Sequence, residues 1–288
     1  MAPAITDTRA PSPASQVQET HSVPSSLSLS GKTIVVTGGG RGLGIALAHG
    51  VVESGAHVVC LDILEAPTEP GWSTLLKLCK EYNTTASFRR CDITNESDVA
   101  NTLTTIAKEA EDRGAPFSGI VACAGIQQKV PGLEYDSADF DRILRVNVTG
   151  TFITAKWAAR LMAESKRGGS IVLVASMSGQ IANRGLTCSA YNSSKAAVHQ
   201  MCRSLAQEWG QYGIRINTVS PGYVLTDMTN ALLETEPEVY QKFMAGALLG
   251  RLGEPEDFKA PTVFLLSRGS SYVTGIDLRV DGGHCAAA

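Results

Sequence analysis

From residue 32 onwards, short apolar runs rich in branched side chains alternate with longer segments of helical pattern. This rhythm predicts a parallel sheet with helices on both faces. The Val and Ile runs are continuous, which is typical of strands buried on both faces. We therefore predict an α/β fold, a doubly wound parallel sheet in one domain. The predicted strands are residues 32–38, 57–62, 87–93, 119–125, 170–176, 214–220 and 276–282, and the predicted helices are residues 42–54, 96–113, 137–165, 190–212 and 255–267.

The domain organisation follows from length and local composition. With 288 residues and 43% hydrophobic content, the chain has ample material for one large core. Residues 1–28 are rich in Ser and Pro, and we predict a disordered tail there, followed by a catalytic domain over residues 29–288. The irregular segment 222–254 is too long for a plain connector and predicts a lid over the substrate.

Charge and composition argue against several classes of function. The net charge of −3 provides no basic footprint for nucleic acid. No apolar run approaches the roughly 18 residues of a membrane span, and the N-terminal residues lack the apolar core of a secretory signal, so we expect a cytoplasmic protein. The 7 cysteines are scattered along the chain without the spacing of a disulfide scaffold, which is typical of reduced thiols. His199 and Cys202 lie three apart on a predicted helix, but no further ligands stand at recognisable spacing, and we predict no metal site.

The segment TGGGRGLG, residues 37–44, joins the first predicted strand to the first long helix. Gly38, Gly42 and Gly44 would let backbone amides approach a pyrophosphate, and the helix N-terminus would add partial positive charge. A flexible hairpin turn would not explain three glycines leading into a helix. The context of strand, turn and helix therefore predicts dinucleotide binding by a Rossmann-type domain.

Two side chains near this turn bear on the choice of dinucleotide. Asp62 ends the second predicted strand, where its carboxylate would bind both hydroxyls of the adenosine ribose and repel a 2′-phosphate. Arg41, inside the turn, favours the opposite choice because a guanidinium pairs with phosphate. A fixed carboxylate should outweigh an arginine that can turn to solvent, so we favour NAD(H), with NADP(H) possible.

Four polar side chains are expected to meet at the same edge of the sheet. Tyr191 and Lys195 are four apart and share one face of a predicted helix. Ser176 ends the fifth predicted strand, and the carboxyl ends of such strands form the ligand crevice. Asn147 lies inside a predicted helix, where asparagine is a poor helix former. Alone, each has an ordinary interpretation as a strand-end hydroxyl, a helix kink or a solvated charge.

Together these four residues suggest acid–base chemistry. A phenol has an ordinary pKa of about 10, and a nearby ammonium and a cationic oxidised nicotinamide would both lower it. Tyr191 would then exchange a proton with the substrate hydroxyl, and Ser176 would hold the substrate oxygen. Lys195 would lower the pKa of Tyr191 and bind the nicotinamide ribose, while Asn147 would order a water chain behind Lys195. The hydride would belong to the cofactor.

Over residues 30–284 the chain resembles the short-chain dehydrogenase/reductase family in its single-domain form. The motifs are TGGGRGLG, CDI, CAG, NVTG, S…YNSSK, SPGYVLT and VDGG, in that order. The resemblance implies that Asn147, Ser176, Tyr191 and Lys195 form the catalytic tetrad. It implies that Asp92 and Ile93 flank the adenine and that Val224 and Thr226 meet the nicotinamide carboxamide. The cofactor-binding residues it implies are Gly38, Arg41, Gly42, Leu43, Gly44, Asp62, Asp92, Ile93, Cys123, Gly125, Tyr191, Lys195, Val224 and Thr226.

Two departures from the family pattern concern the site. Ala122-Cys123-Ala124-Gly125 replaces Asn-Asn-Ala-Gly, so side-chain stabilisation of the sheet by asparagine is lost while the backbone contact to the cofactor can survive. The loop between Ser176 and Tyr191 is two residues longer than is usual in the family. This loop contains ASMSGQIAN. Together with the segments after it, the loop resembles the corresponding parts of fungal polyol dehydrogenases and ketose reductases of the NAD-linked D-arabinitol 2-dehydrogenase type.

This closer resemblance implies a sugar alcohol and its ketose as substrates. Gln180, Asn183 and Arg184 in the enlarged loop would bind the polyol hydroxyls together with Ser176 and Tyr191. Phe243 and Met244 in the predicted lid leave open a bulkier carbonyl, such as a 3-ketoacyl thioester. Two other classes of function are possible for such a chain. One is a dinucleotide-sensing regulator that has lost the catalytic activity, and the other is a structural protein. The resemblance also implies a homotetramer or homodimer packed through helices 137–165 and 190–212, where Trp157 and Trp209 could serve an interface or the core.

Overall fold

The computed structural model describes residues 22–226 and 237–287. In this part of the chain a 7-stranded parallel sheet has the order β3-β2-β1-β4-β5-β6-β7. This order confirms the predicted doubly wound α/β fold. The strands are β1 (Thr33–Thr37), β2 (His57–Asp62), β3 (Ala86–Arg90), β4 (Phe117–Ala122), β5 (Gly169–Val174), β6 (Ile214–Pro221) and β7 (Asp277–Val280).

Helices cover both faces of this sheet. Those described are α1 (Val23–Leu27), α2 (Gly42–Glu53), α3 (Gly71–Glu81), α4 (Glu96–Asp112), α5 (Ser137–Leu144), α6 (Thr151–Glu164), α7 (Ser189–Trp209), α8 (Pro237–Met244), α9 (Lys259–Leu266) and α10 (His284–Ala287). A π-helical segment, Arg145–Gly150, connects α5 to α6, and 3₁₀ turns include Met177–Gly179 and Pro255–Phe258.

The helices differ from the predictions in several places, among them α8, which lies in the segment 222–254 that was expected to be irregular. The expected helix 137–165 is interrupted by the π-helical segment, and the expected helix 255–267 begins with a 3₁₀ turn. Helix α3 was not predicted, because only Leu75 and Cys79 of it are buried and its apolar pattern is short. In the expected tail, α1 forms a short helix without buried residues. Residues 1–21 of the tail and residues 227–236 of the expected lid lie outside the described residues.

The sheet has one apolar core on each face. Successive strand residues point to opposite faces, so the continuous runs supply both cores. Val35, Ile120 and Ile171 pack against α4, α6 and α7. Ile34 and Val121 belong to the other core, against α2, α3 and α9. Within the described ranges, no helix combines the length and apolar character needed to cross a membrane.

The strand order places a crevice at the carboxyl end of β1. Thr37, the last residue of β1, pairs with Leu61 of β2 on one side and with Ala122 of β4 on the other. From β1 the chain continues to β2 on one side, and it later returns to the other side of β1 as β4. The connections on the two sides of β1 therefore run away from each other at this point. Such a switch point is where open α/β sheets bind ligands.

Candidate active site

The glycine turn after β1 is built around two close backbone approaches. A Cβ on Gly38, whose φ is +65°, would lie 2.8 Å from the Ala124 Cα, so the turn packs directly on the segment after β4. A Cβ on Gly44 would collide with the Gly38 carbonyl oxygen. Gly42, by contrast, has a φ of +54° and open space where its Cβ would be. The turn therefore leaves its outer side free at the N-terminus of α2, which fits a phosphate group.

Asp62 stands beside this turn with its carboxylate held in place. Its Oδ2 accepts a hydrogen bond from the Gly40 amide at 3.0 Å, and its Oδ1 accepts one from the Leu64 amide at 3.3 Å. The side chain is buried, and a Cβ on Gly40 would lie 3.0 Å from the Asp62 Oδ2. The glycine at position 40 therefore lets the turn approach the carboxylate. Arg41 is exposed and makes no side-chain cap of α2.

The other predicted cofactor residues lie around the same crevice. Asp92 follows β3, and one of its carboxylate oxygens accepts hydrogen bonds from the Thr94 amide and hydroxyl. Ile93 is buried against Gly150 of the π-helical segment. Leu43 starts α2, Cys123 follows β4, and Val224 forms a β-bridge with Gly253. Thr226 is the last described residue before the gap.

Asn147 lies in the π-helical segment and holds the loop after β4. Its Oδ1 accepts a hydrogen bond from the Ile126 amide, and its Nδ2 donates to the Ile126 carbonyl, both at 2.8 Å. The same Nδ2 donates to the Ser194 hydroxyl of α7 at 3.0 Å. A Cβ on Gly125 would lie 3.3 Å from the Asn147 Oδ1 and 3.7 Å from the Lys195 Nζ. The amide therefore connects three segments that border the site, a role that the sequence did not reveal.

Ser176, Tyr191 and Lys195 meet in the same place. Ser176 caps the Met177–Gly179 turn directly after β5, and its hydroxyl is hydrogen-bonded to the Tyr191 phenol. Lys195 lies one turn after Tyr191 on α7, with its Nζ 5.5 Å from the centre of the tyrosine ring. The buried Nζ donates a hydrogen bond to the carbonyl of Val174, the last residue of β5, at 2.8 Å. The structure thus brings the four predicted catalytic residues together.

Burial shifts the pKa values of both central groups toward their neutral forms. It raises the pKa of Tyr191 to about 12, although the hydrogen bond with Ser176 acts to lower it. It also lowers the pKa of Lys195 to about 8. For Tyr191 this is the direction opposite to the one expected from the neighbouring lysine. The lowering that proton transfer requires must therefore come from positive charge added to the site.

Burial raises the pKa values of Tyr135, Tyr191 and Tyr223, and the nearby thiol of Cys188, just before α7, acts in the same direction on each. The buried hydroxyl oxygen of Tyr135 has no hydrogen-bond partner among the described residues. Neither tyrosine was among the predicted site residues. Tyr135 lies in a loop without a motif, and Tyr223 lies within SPGYVLT, of which only Val224 and Thr226 were singled out.

The predicted substrate residues of the enlarged loop lie in different environments. Asn183 is buried and its Nδ2 donates a hydrogen bond to the Tyr223 hydroxyl at 3.0 Å. Arg184 is exposed. Gln180 is also exposed, and its side-chain amide donates to the carboxylate of Asp277 at the start of β7. In this structure the Gln180 amide is therefore engaged by the protein, and its contact with a polyol stays a prediction.

An aromatic cluster borders this loop on the lid side. The Tyr223 ring stacks on Phe243 of α8, with ring centres 3.6 Å apart and an angle of 9° between the planes. His284 of α10 meets the Tyr223 ring edge-on, at 5.1 Å. Leu252 is buried in the same cluster, with Leu186 packed against it. In the described part of the chain, no group of three His, Cys, Asp or Glu side chains is placed to hold a metal ion.

Comparisons with known proteins agree with this geometry. A family model described as enoyl-(acyl carrier protein) reductase matches residues 38–284. The short-chain dehydrogenase/reductase notP′ of Aspergillus versicolor is 43% identical, over 94% of this chain and 93% of the relative. The L-tagatose-forming galactitol 2-dehydrogenase of Cereibacter sphaeroides is 37% identical, over 89% and 96%. The ribulose-forming D-arabinitol 2-dehydrogenase of Candida tropicalis is 32% identical, over 90% and 94%.

Solved structures agree at the level of the whole fold. A short-chain type dehydrogenase/reductase from Mycobacterium marinum superposes with a TM-score of 0.82 at 34% identity, covering 91% of this chain and 99% of its own. The NADPH-dependent 3-quinuclidinone reductase from Rhodotorula rubra also has a TM-score of 0.82, at 32% identity, and covers 96% of this chain and 100% of its own.

Proposed function

Because the chain belongs to the short-chain dehydrogenase/reductase family, we propose that it interconverts a sugar alcohol and its ketose with NAD(H). The coarser activity, hydride transfer between a nicotinamide cofactor and a secondary alcohol or ketone, follows from membership of the family. The finer proposal is a D-arabinitol- or mannitol-like polyol. The observation that carries it is the buried hydroxyl of Tyr135, which has no hydrogen-bond partner among the described residues and is therefore free to bond a substrate hydroxyl.

Four side chains would carry out the reaction. In alcohol oxidation Tyr191 takes the hydroxyl proton, and in ketone reduction it returns the proton. Ser176 holds the substrate oxygen beside the Tyr191 phenol, and Lys195 adds positive charge when it is protonated. Asn147 fixes the loop after β4 against α7. When bound, the nicotinamide supplies the hydride donor or acceptor.

The residues of the crevice fit a nicotinamide dinucleotide. The open side of Gly42 and the N-terminus of α2 would hold the pyrophosphate, and Asp62 would hold the adenosine ribose. The Asp62 carboxylate has two oxygens fixed by backbone amides, so it cannot turn away from a 2′-phosphate without losing both bonds. This rigidity supports NAD(H) over NADP(H), while Arg41 remains the one feature of the turn that favours the phosphorylated cofactor.

The cofactor proposal is tested by changing the Asp62 carboxylate. In Asp62→Ala we expect the ratio of kcat/KM for NAD⁺ to kcat/KM for NADP⁺ to fall about tenfold or more, because a charge-assisted hydrogen bond is lost and a like-charge repulsion is removed. Initial rates measured with each cofactor give this ratio. Glu65→Gln, which removes an exposed carboxylate from an ion pair with Arg90, serves as the control and should keep the ratio. A wild-type preference for NADP⁺ would contradict the proposal.

The substrate proposal is tested by a panel of alcohols and ketones. Initial rates would be measured for D-arabinitol, galactitol, D-mannitol, D-sorbitol, xylitol and a hydrophobic secondary alcohol. The two polyol relatives described above support the choice of the first compounds. We expect a polyol to give the highest kcat/KM, and we expect Tyr135→Phe to lower it for polyols more than for the hydrophobic alcohol. Equal losses for both classes would argue against contact between Tyr135 and a polyol hydroxyl.

A second candidate is a bulkier carbonyl substrate, favoured by the stacked Tyr223 and Phe243 rings beside the crevice. Flat aromatic surfaces of this kind suit an acyl chain or a ring better than a polyol. The family model described as an acyl carrier protein reductase and the similarity to a quinuclidinone reductase support it. Reduction of acetoacetyl thioesters and of a bicyclic ketone, measured with NADH and NADPH, decides between the two candidates. We also propose a homo-oligomer and a cytoplasmic location.

A further inference from the structure

A histidine that the mechanism does not use lies directly behind the catalytic pair. His199 follows Lys195 by one turn on the same face of α7, and only 6% of its surface is exposed. Its Nε2 lies 2.8 Å from the Ser220 hydroxyl of β6 and 3.6 Å from the Asp277 Oδ1 of β7. Burying an ionisable ring between two strands and a helix is costly unless its nitrogens are bonded.

Asp277 is the centre of the cluster around this histidine. The Thr218 and Ser220 hydroxyls both donate to its Oδ1 at 2.6 Å, and the Gln180 amide donates to its Oδ2. Since Ser220 has a single hydroxyl hydrogen and gives it to the carboxylate, it offers only lone pairs to the histidine. The ring of His199 must therefore donate through Nε2. We call Gln180, His199, Thr218, Ser220 and Asp277 the polar brace.

The polar brace is attached to the turn that carries Ser176. Gln180, which follows Gly179 directly, bonds Asp277, and the backbone of Gly179 lies close enough to the His199 ring to act on its pKa. A Cβ on Gly179 would lie 2.6 Å from the Lys195 carbonyl carbon, so the turn lies against the backbone of α7 at the catalytic lysine. At the other end of the turn, the Ser176 hydroxyl accepts a hydrogen bond from the Ser178 amide at 3.1 Å. The brace thus holds the far end of a turn whose near end is Ser176.

The charges around His199 come from three elements. Burial lowers its pKa, and Lys195 and Arg203 of α7 lower it further, while Asp277 of β7 and the backbone of Gly179 act to raise it. A hydrogen on Nε2 satisfies the contact between the His199 ring and the Ser220 hydroxyl.

From these contacts we propose that Asp277 and His199 are positioning residues, which hold the Met177–Gly179 turn against α7 and so fix the Ser176 hydroxyl beside Tyr191. Neither side chain touches the substrate in this proposal. In this proposal the amide of Gln180 serves the brace.

An exchange of donor and acceptor between two brace residues tests the proposal. Asp277→Asn keeps an oxygen for Thr218 and Ser220, and its new amide donates to the Gln180 carbonyl oxygen once the Gln180 side-chain amide turns over, so this variant keeps the contact. Gln180→Glu alone sets two carboxylates against each other. The double variant restores one donor and one acceptor. Hydrogen exchange of the amides of Ser178, Gly179 and Gln180, measured without ligand, reports the turn directly.

We expect about tenfold faster exchange of these amides in Gln180→Glu and a return toward the wild-type rate in the double variant. The turnover of D-arabinitol with NAD⁺ should fall about tenfold in Gln180→Glu, with an unchanged Kd for NADH, and recover in the double variant. Asp112→Asn, at the exposed end of α4, is the control and should change neither quantity.

The turnover measurement rests on the proposed polyol activity, whereas the exchange measurement does not. A wild-type protein without polyol turnover would contradict the proposed function, and the exchange rates would still decide about the brace. Wild-type exchange in Gln180→Glu, or a double variant that exchanges as fast as Gln180→Glu, would overturn the proposal. If the double variant fails to fold, Ser220→Ala removes the acceptor of His199 and must show the same local acceleration.

Discussion

At the scale of single residues, the structure gives Tyr191 an environment that differs from the expected one. Lysine and tyrosine at a spacing of four were expected to stabilise a phenolate, but burial dominates both groups. The phenol and the amine are each pushed toward the neutral form because the crevice walls remove water from both. The sequence identified the pair, but the degree of burial depends on residues from other segments of the chain.

Replacing the Tyr191 hydroxyl distinguishes an enzyme from a dinucleotide sensor. In Tyr191→Phe we expect kcat to fall by about 10²–10⁴, because the proton donor is lost, while the Kd for NADH stays within about twofold. Stopped-flow turnover and fluorescence titration measure the two quantities. The control is Tyr272→Phe, at a fully exposed tyrosine. Unchanged activity in Tyr191→Phe would contradict a catalytic role.

The lowered pKa of Lys195 predicts how stability changes with pH. The unfolded chain holds the lysine proton up to a pKa near 10.5 and the folded protein only up to about 8, so between these values the unfolded state binds more protons. The free energy of unfolding should therefore rise with pH in that window, by at most about 1.4 kcal/mol per pH unit from this group.

Comparison with Lys195→Met isolates this contribution. Urea unfolding without cofactor at pH 8 and pH 9.5 should give wild type a more positive change in unfolding free energy than the variant. Tyr191 acts in the opposite direction only above its ordinary pKa of 10, because burial raises its pKa to about 12. Buried thiols such as Cys202 oppose the rise in both proteins and cancel in the comparison. Equal slopes would show that Lys195 keeps its ordinary pKa.

At the scale of elements, the site depends on places where backbones touch. Helix α2 meets the glycine turn at Gly44, and helix α7 meets the Ser176 turn at Gly179. The first contact was predictable from the motif. The second was not, because a glycine after a serine has many explanations in a sequence and its approach to Lys195 joins segments 16 residues apart.

Adding a methyl group at Gly44 tests the first contact. In Gly44→Ala the new Cβ would collide with the Gly38 carbonyl, so the glycine turn must shift. We expect a loss of about 1–3 kcal/mol in unfolding free energy and a Kd for NADH raised by about tenfold or more. Gly210→Ala is the matched control, since its Cβ would meet nothing within 4 Å and its φ is not positive. Wild-type cofactor affinity in Gly44→Ala would contradict the role given to the turn.

The π-helical segment is the element that pattern reading could not find. Residues 137–165 have a helical apolar pattern throughout, and a π segment adds its extra residue without breaking that pattern. Asn147 was singled out as a poor helix former, but its two bonds to Ile126 come from a loop that the sequence does not connect to it.

At the scale of the whole molecule, the faces of α6 and α7 that point away from the crevice bear on the proposed oligomer. Trp157 and Trp209 pack at the edge of the core and are partly exposed. Beside Trp209, the side chains of Ala159, Ala163 and Tyr212 line a groove of about 440 Å³. This surface lies on the helices through which the resemblance implies an oligomer, and Tyr212 is 51% exposed there.

The proposed oligomer predicts a change in particle mass when this groove is filled. Ala163→Arg would place a charge beside Tyr212, and we expect sedimentation to show a smaller assembly than wild type. Thr104→Arg adds the same charge on the exposed face of α4 and should leave the mass unchanged. A wild-type monomer would contradict the oligomer, and an Ala163→Arg protein of wild-type mass would place the interface elsewhere.

Periodicity and local motifs were enough to predict the sheet, the glycine turn, Asp62 and the four residues Asn147, Ser176, Tyr191 and Lys195. These features are local in the chain, because a strand, a tight turn and an i, i+4 pair are specified by neighbouring residues. The strand order and the engagement of Gln180 by Asp277, 97 positions away, required the folded protein. The burial that raises the pKa of Tyr191 also required the folded protein. Such contacts depend on which distant segments pack together, and burial is a sum over all of them.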